Sequence, residues 1–156
     1  MKTITALVLA MAATAGLSAA ADKPNFSGEW TMDATKSDLG PIPPPATMTL
    51  KVDHRDPAIT VTSMSTGGAQ GDATTTAKYS TDGTETTNDM MGAPAKSTAK
   101  WEGKALLIAT KADLQGTEIT INIKVSLSDD GKVLTDAWHI VSPQGEFDIT
   151  YVLNKK

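Results

Sequence analysis

The sequence predicts an all-β protein, an antiparallel up-and-down meander of eight to ten strands forming a barrel. Apolar and polar residues alternate with a period of two along most of the chain, the pattern of half-buried strands. Glycine-containing turns separate these stretches by roughly 10 to 15 residues, which is too short for crossover helices. A β-sandwich is the alternative, because strand patterns alone do not determine closure.

Nine stretches are predicted to be strands. The clearest is Glu118 to Leu127, where aliphatic residues occupy every second position. In Glu146 to Leu153 the aromatic and aliphatic residues alternate with polar ones in the same way. The remaining seven, in chain order, are Gly28 to Asp33, Thr47 to Asp53, Ala58 to Met64, Asp72 to Thr81, Ser97 to Glu102, Lys104 to Lys111 and Val133 to Val141.

Short turns are predicted between these strands. Glycine adopts the positive φ that tight hairpins require, and each turn sequence places it between two apolar runs. The turn sequences are Asp82-Gly83, Glu102-Gly103, Gln115-Gly116, Asp130-Gly131 and Gln144-Gly145.

The connection between the first two strands differs from these turns. Thr35 to Asp38 has the spacing of a capping box, but Gly40 and the proline run Pro41 to Pro45 limit any helix to about one turn. Proline-rich chain is extended and stiff. We therefore expect a rigid connector across one end of the barrel.

Residues 1–21 are predicted to be a signal peptide, leaving 22–156 as one barrel domain. Lys2 precedes the apolar run Ile4 to Leu17, and Ser18 to Ala21 supplies small residues for cleavage after Ala19 or Ala21. The run is shorter than the roughly 18 to 20 residues that span a membrane, so no transmembrane anchor is expected. The predicted location is secreted or periplasmic.

Composition excludes several kinds of function. The chain contains no cysteine, which rules out disulfides, zinc-thiolate sites and a cysteine nucleophile. Without Lys2, thirteen basic residues face eighteen acidic ones, a net charge of −5. Nucleic acid and anionic membranes are therefore not expected as partners, and the sequence identifies no protein partner.

Large and small side chains are unevenly distributed. Strands after Lys104 are rich in large apolar residues, whereas Ser63 to Ala99 is dominated by Thr, Ala, Ser and Gly. A barrel of about eight strands is either filled by side chains or holds one small ligand, and small linings favour the ligand. Small residues on half of the wall therefore predict an internal pocket.

The segment Phe26-Ser27-Gly28-Glu29-Trp30 resembles the opening of calycin barrels, which include the lipocalins and the fatty-acid-binding proteins. Small exported lipocalin-like domains of unknown function are similar in size and opening. The resemblance implies that Trp30 plugs the closed end of the barrel and that Gly28 allows close approach of the backbone.

The sequence departs from the fatty-acid-binding proteins in two respects. The proline connector replaces their helical lid, and the only arginine, Arg55, is far from the chain end where they bind a carboxylate. Lipocalins carry an Arg over the Trp, but only Lys155 and Lys156 are available here, and Thr135-Asp136 matches just two residues of their Thr-Asp-Tyr motif. We therefore expect a small neutral, partly apolar ligand. The predicted ligand-binding residues are Trp30, Met48, Leu50, Tyr79, Trp101, Trp138 and Tyr151.

Catalysis and metal binding are not predicted. His54, Asp56 and His139 are the residues best suited to such chemistry, but their spacing matches no metal site or hydrolase motif. The mature methionines are better explained as core residues than as copper ligands. We expect a non-enzymatic protein without a cofactor. The alternative to ligand binding is a structural or interaction protein of the cell envelope, with a filled core and a partner at an edge strand or the loop Gly83 to Ser97.

Overall fold

A computed structural model describes residues 22–68 and 71–156, which form ten antiparallel strands in one sheet. The predicted signal peptide lies outside these residues. In them, no helix is long and apolar enough to cross a membrane. The strands are β1 (Gly28–Met32), β2 (Thr47–Arg55), β3 (Ala58–Gly68), β4 (Gly71–Ser80), β5 (Thr86–Met90), β6 (Ala93–Glu102), β7 (Ala105–Leu114), β8 (Thr117–Leu127), β9 (Val133–Ser142) and β10 (Gly145–Lys155).

The sheet forms a nearly closed barrel with the order β4-β3-β2-β1-β10-β9-β8-β7-β6-β5. Most strands pair with their neighbours in sequence. The exception is β1, which pairs with β2 on one side and with the last strand, β10, on the other. Between β4 and β5 the gap is bridged by one side chain. Asn88 accepts a hydrogen bond from the Lys78 N–H (2.7 Å) and donates one to the Lys78 carbonyl (3.0 Å). The predicted up-and-down barrel is confirmed, and the sandwich is not formed.

The predicted alternation holds on β8 and β10. Ile121 and Ile123 of β8 are buried, with exposed Asn122 between them. On β10, Ile149 and Leu153 are buried in the same phase. These strands contribute the large apolar side chains of one barrel wall.

The structure corrects the prediction for residues 83–97. The sequence predicted a loop from Gly83 to Ser97, but β5 and the first part of β6 lie there. In β5, Thr86, Asn88 and Met90 are half-buried and the residues between them are exposed. The strand therefore has the period of two, but polar residues occupy most of its inward positions and hide the apolar signal.

The connector between β1 and β2 lies across the open end of the barrel, as predicted. Asp38 forms a bridge with Thr150 of β10. The Ala46 N–H donates to the Thr66 carbonyl of β3 at 2.8 Å, which fixes the far end of the connector. Ile42, Pro43 and Pro45 line the opening beneath it. The proline-stiffened connector thus covers the open end of the barrel, where no helical lid is formed among the described residues.

Trp30 closes the opposite end of the barrel. Its side chain is fully buried, and its indole N–H donates to the Phe26 carbonyl at 3.0 Å. The Lys155 ammonium lies 5.3 Å from the centre of the Trp30 ring, within the range of a cation–π interaction. Lys155 therefore covers the outer face of the Trp30 ring.

A stack of rings extends this closed end. Phe26 lies parallel to His54 and to Trp101, with ring centres 5.7 and 5.6 Å apart. The Phe26 N–H donates to Nδ1 of the buried His54. At the rim, the Thr81 hydroxyl, and more weakly the Trp101 indole, donate to Asp56 and hold the pKa of its carboxyl below its ordinary value. His54 and Trp101 are thus structural parts of the plug.

Gly28 is needed where the end of the chain packs over Trp30. Its φ is +140°, and a Cβ at this position would lie 3.0 Å from Cε of Lys155. We expect Gly28→Ala to lower the free energy of unfolding by about 1–3 kcal/mol through backbone strain, and further by displacing Lys155 from Trp30. Chemical denaturation monitored by tryptophan fluorescence measures both effects.

Gly145→Ala is the matched control for this substitution. Gly145 has a similar φ of +133° but nothing within 4 Å of the added Cβ. It therefore reports backbone strain alone. Equal losses in the two variants would contradict a stabilising contact between Lys155 and Trp30.

Candidate functional site

The barrel encloses a cavity of about 510 Å³ that extends from Phe26 to the proline connector. Its walls come from β2, β3, β4 and from β7 to β10, and the proline connector covers it. Volumes of about 300–1,000 Å³ are typical of small-molecule sites. The interior is therefore large enough for one small ligand.

The two walls of the cavity differ in side-chain size. Small residues of β3 and β4 form one wall and larger apolar residues of β8 to β10 form the other. The small-residue wall consists of Ser63, Ser65, Ala73, Thr75 and Ala77. The sequence placed the whole range Ser63 to Ala99 in the small-residue lining, but Ala95, Ser97 and Ala99 of β6 are buried in packed structure. Ser97 instead shares a hydrogen bond of 2.8 Å with Thr110 of β7.

The structure brings most of the sequence-predicted ligand-binding residues together. Met48, Leu50, Tyr79, Trp138 and Tyr151 all line the cavity. It does not bring Trp30 and Trp101 there, since both lie in the plug at the closed end. An apolar strand position predicts an inward side chain but not its depth along the barrel.

Asp136 is the interior residue that the sequence analysis did not assign to the site. It lies on β9, opposite Val125 of β8 and Tyr151 of β10, and faces the cavity. Its Oδ1 is buried without a hydrogen-bond partner. The signal was present in the sequence, because Asp136 has the same alternation phase as Leu134 and Trp138.

Burial controls the protonation of the groups around Asp136. It raises the pKa of Asp136 to about 6, and the nearby indole of Trp138 offsets this only in part. Burial and the charge of Asp136 raise the pKa of Tyr79 to about 12, and the pKa of Tyr151 rises for the same two reasons. Both tyrosines are therefore neutral near pH 7, and Asp136 is the group that titrates.

Aromatic geometry orders this part of the cavity. The rings of Trp138 and Tyr151 meet edge to face with centres 5.9 Å apart. The indole N–H of Trp138 is buried and has no hydrogen-bond partner. An unpaired donor and an unpaired acceptor, Oδ1 of Asp136, therefore lie on the same strand face.

Basic side chains are absent from the described lining. Among the lining residues in 22–68 and 71–156 there is no Lys, Arg or His. Arg55 is exposed beyond the closed end and pairs with Asp53 at 3.1 Å. In the same part of the chain, no group of three or more His, Cys, Asp or Glu residues could hold a metal ion.

A second depression, of about 730 Å³, lies on the outer surface of β6 to β10. His139 contributes to it and lies 2.7 Å from Asp148 on the neighbouring strand. The two residues face solvent, whereas His54 lies in the plug. The structure therefore places the two histidines in different surroundings, the plug and the outer face.

Comparison with known proteins gives matches in structure alone. No family model and no curated protein matches the chain. The zebrafish ileal bile acid-binding protein, solved with cholic acid, matches with a TM-score of 0.59 and 16% identity over 84% of this chain and 98% of that chain. A secretory abundant heat soluble protein from Ramazzottius varieornatus gives 0.61 and 10% over 83% and 94%. The chain has a calycin-like β-barrel fold.

The calycin-like barrel was predicted from the opening motif and the meander. A second heat soluble protein, number 4 of the same organism, agrees with a TM-score of 0.58 and 14% identity over 87% of this chain and 97% of that chain. Identities this low establish the fold alone. The chemistry of this calycin-like barrel therefore depends on the residues that line its own cavity.

Asp136 makes stability depend on pH in a direction opposite to most carboxyl groups. Because its pKa is raised from 3.8 to about 6 in the folded protein, folding favours the protonated form. This stability is present below about pH 4 and is lost as the pH rises through about 6. We expect Asp136→Asn to be more stable than the parent at pH 8, by up to about 3 kcal/mol.

Denaturation midpoints at pH 4 and pH 8 test this expectation. The advantage of Asp136→Asn should shrink towards pH 4. Asp129→Asn, at an exposed turn residue, removes the same charge and should show no such change. An advantage that is equal at both pH values would contradict the burial of an unpaired carboxyl group.

Proposed function

We propose that this protein is an exported, non-enzymatic carrier that holds one small, neutral, mainly apolar molecule inside its barrel. The cavity of about 510 Å³ supports this most directly. An interior of this size is at variance with the filled core on which the alternative envelope role rested. The predicted loop Gly83 to Ser97 is formed instead by β5 and the first part of β6.

The fold is compatible with carriage. The zebrafish match is a bile acid-binding protein whose solved structure contains cholic acid. A barrel of this fold therefore accommodates a small, partly apolar molecule, which supports a binding role over a catalytic one. The ligand of this chain must fit the residues that line its own cavity.

The charge of the lining supports a neutral ligand. A carboxylate brought inside would lose its hydration, and none of the described lining residues carries a positive charge to compensate it. Asp136 would in addition repel it above about pH 6. The apolar area on β2 and β8 to β10 remains available to an uncharged body.

Ligand binding is tested by blocking the cavity. Ala77 of β4 faces the cavity, and Phe at this position would fill space beside the small-residue wall. We expect a saturable change in tryptophan fluorescence when an uncharged hydrophobic dye is titrated into the parent protein, because Trp138 lines the site. Ala77→Phe should weaken dye binding at least about tenfold, a loss of roughly 1.4 kcal/mol.

Thr76→Phe is the matched control, because Thr76 is the exposed neighbour of Ala77 on the same strand. It adds an equal side chain to the outer face and should leave dye affinity unchanged. Circular dichroism should show that both variants fold. Equal dye affinity in the parent and in Ala77→Phe would refute carriage inside the barrel.

Export is tested at the amino terminus of the mature protein. Expression of the full chain should yield a secreted or periplasmic product that begins at Ala20 or Asp22, as measured by intact mass. Replacing Ala19 and Ala21 by Arg should block processing, because cleavage needs small residues. Recovery of the unprocessed chain from the cytoplasm in both cases would overturn this part of the proposal.

A further inference from the structure

Among the described residues Asp136 has no basic partner, and the Trp138 indole, which lowers the pKa of the carboxyl group in part, approaches it without a hydrogen bond of ordinary geometry. Its neighbours across the sheet are Val125 and Tyr151, neither of which is basic. His139, on the same strand, pairs with Asp148 on the outer face. Lys155 lies over Trp30 in the plug. An unpaired buried carboxyl group destabilises the empty protein, and a bound group that pairs with it would offset this cost.

Trp138 carries an unpaired hydrogen-bond donor in the same region. Its indole N–H is buried without a partner, as is Oδ1 of Asp136. The two residues are separated by one position on β9, and both face the cavity. One ligand atom that both donates and accepts would satisfy the two groups together.

A hydroxyl group has this combination. It donates one hydrogen bond and accepts others, whereas an ammonium group donates only and a carboxylate accepts only. We propose that the carried molecule ends in a hydroxyl group that donates to the Asp136 carboxylate and accepts from the Trp138 indole. Its apolar body then lies against the small-residue wall of β3 and β4. This inference rests on the proposed function, since it names the polar end of the same ligand.

The titratable groups around Asp136 agree with a neutral headgroup. Tyr79 of β4 and Tyr151 of β10 are the other titratable residues of the described lining, and both stay neutral near pH 7. They add hydroxyl dipoles without adding a positive charge. A ligand hydroxyl completes the network without leaving an unpaired charge of its own.

Three probes that share a decyl chain and differ in their polar head group test the assignment of a hydroxyl group. We would measure 1-decanol, decylamine and decanoate at pH 8, where Asp136 is ionised, by displacement of the uncharged dye. Decanol should bind at least about tenfold more tightly than decanoate, the loss expected when a buried acceptor is left unpaired and a like charge is added. Decanoate binding as tightly as decanol, or decylamine binding tenfold more tightly, would overturn the hydroxyl assignment.

Two variants connect the preference to the residues named. Asp136→Asn removes the repelling charge, so the ratio of decanol to decanoate affinity should fall towards one while the dye still binds. Trp138→Phe keeps an aromatic ring but removes the donor; with binding read from the fluorescence of the dye itself, it should weaken decanol several-fold more than it weakens the dye. Asp129→Asn should behave as the parent. An unchanged ratio in Asp136→Asn would overturn the inference.

Failure of the proposed function is recognised separately. If neither the dye nor any decyl probe binds saturably to the folded parent, carriage itself is wrong. If the dye binds and the decyl probes compete without regard to their heads, carriage stands and the role of Asp136 is wrong.

Discussion

The short strand β1 joins the two parts of the barrel. Trp30 pairs with Leu50 of β2 on one side and with Lys155 of β10 on the other, so five residues connect β2 to β4 with β5 to β10. The Trp30 indole adds a hydrogen bond to Phe26, and Lys155 covers its outer face. The order of all ten strands thus depends on this short segment. Burial of a large aromatic ring supplies much of the stability this junction needs.

Closing one end by aromatic packing allows the other end to stay open. The stack of Phe26, His54 and Trp101 fills the closed end, so the cavity extends from Phe26 to the proline connector. The cavity then follows from side-chain volume, because Ser, Ala and Thr on β3 and β4 cannot reach the opposite wall. Interiors are normally packed to high density, and a gap of this size forgoes dispersion contacts. The closely packed side chains therefore lie in the plug, and the open space lies between the plug and the connector.

The sequence predicted the architecture better than the site. Strong alternation on β8 and β10 located those strands within a few residues, because half-buried strands require it. β5 was missed because Thr86 and Asn88 occupy inward positions, and only the pairing of β5 with β6 shows it is a strand. Alternation along a strand shows on which face of the sheet a side chain lies. Its position along the barrel axis depends on the register between strands that are distant in sequence. For that reason Trp101 was predicted in the pocket and lies in the plug.

Asp136 shows the same limit of prediction from sequence, for a residue that was missed and not misplaced. Its phase along β9 was visible in the sequence, but its meaning depends on the absence of a cation from the described lining, which only the assembled barrel can show. Two stability effects act against each other there. The charge destabilises the empty protein near neutral pH, and a ligand that pairs with it recovers that free energy only on binding. A carrier built in this way discriminates through the penalty of leaving the carboxylate unpaired, so an apolar molecule without a donor gains from the walls but not from Asp136. In the proposed carrier, the unpaired carboxyl group contributes selectivity at the expense of stability.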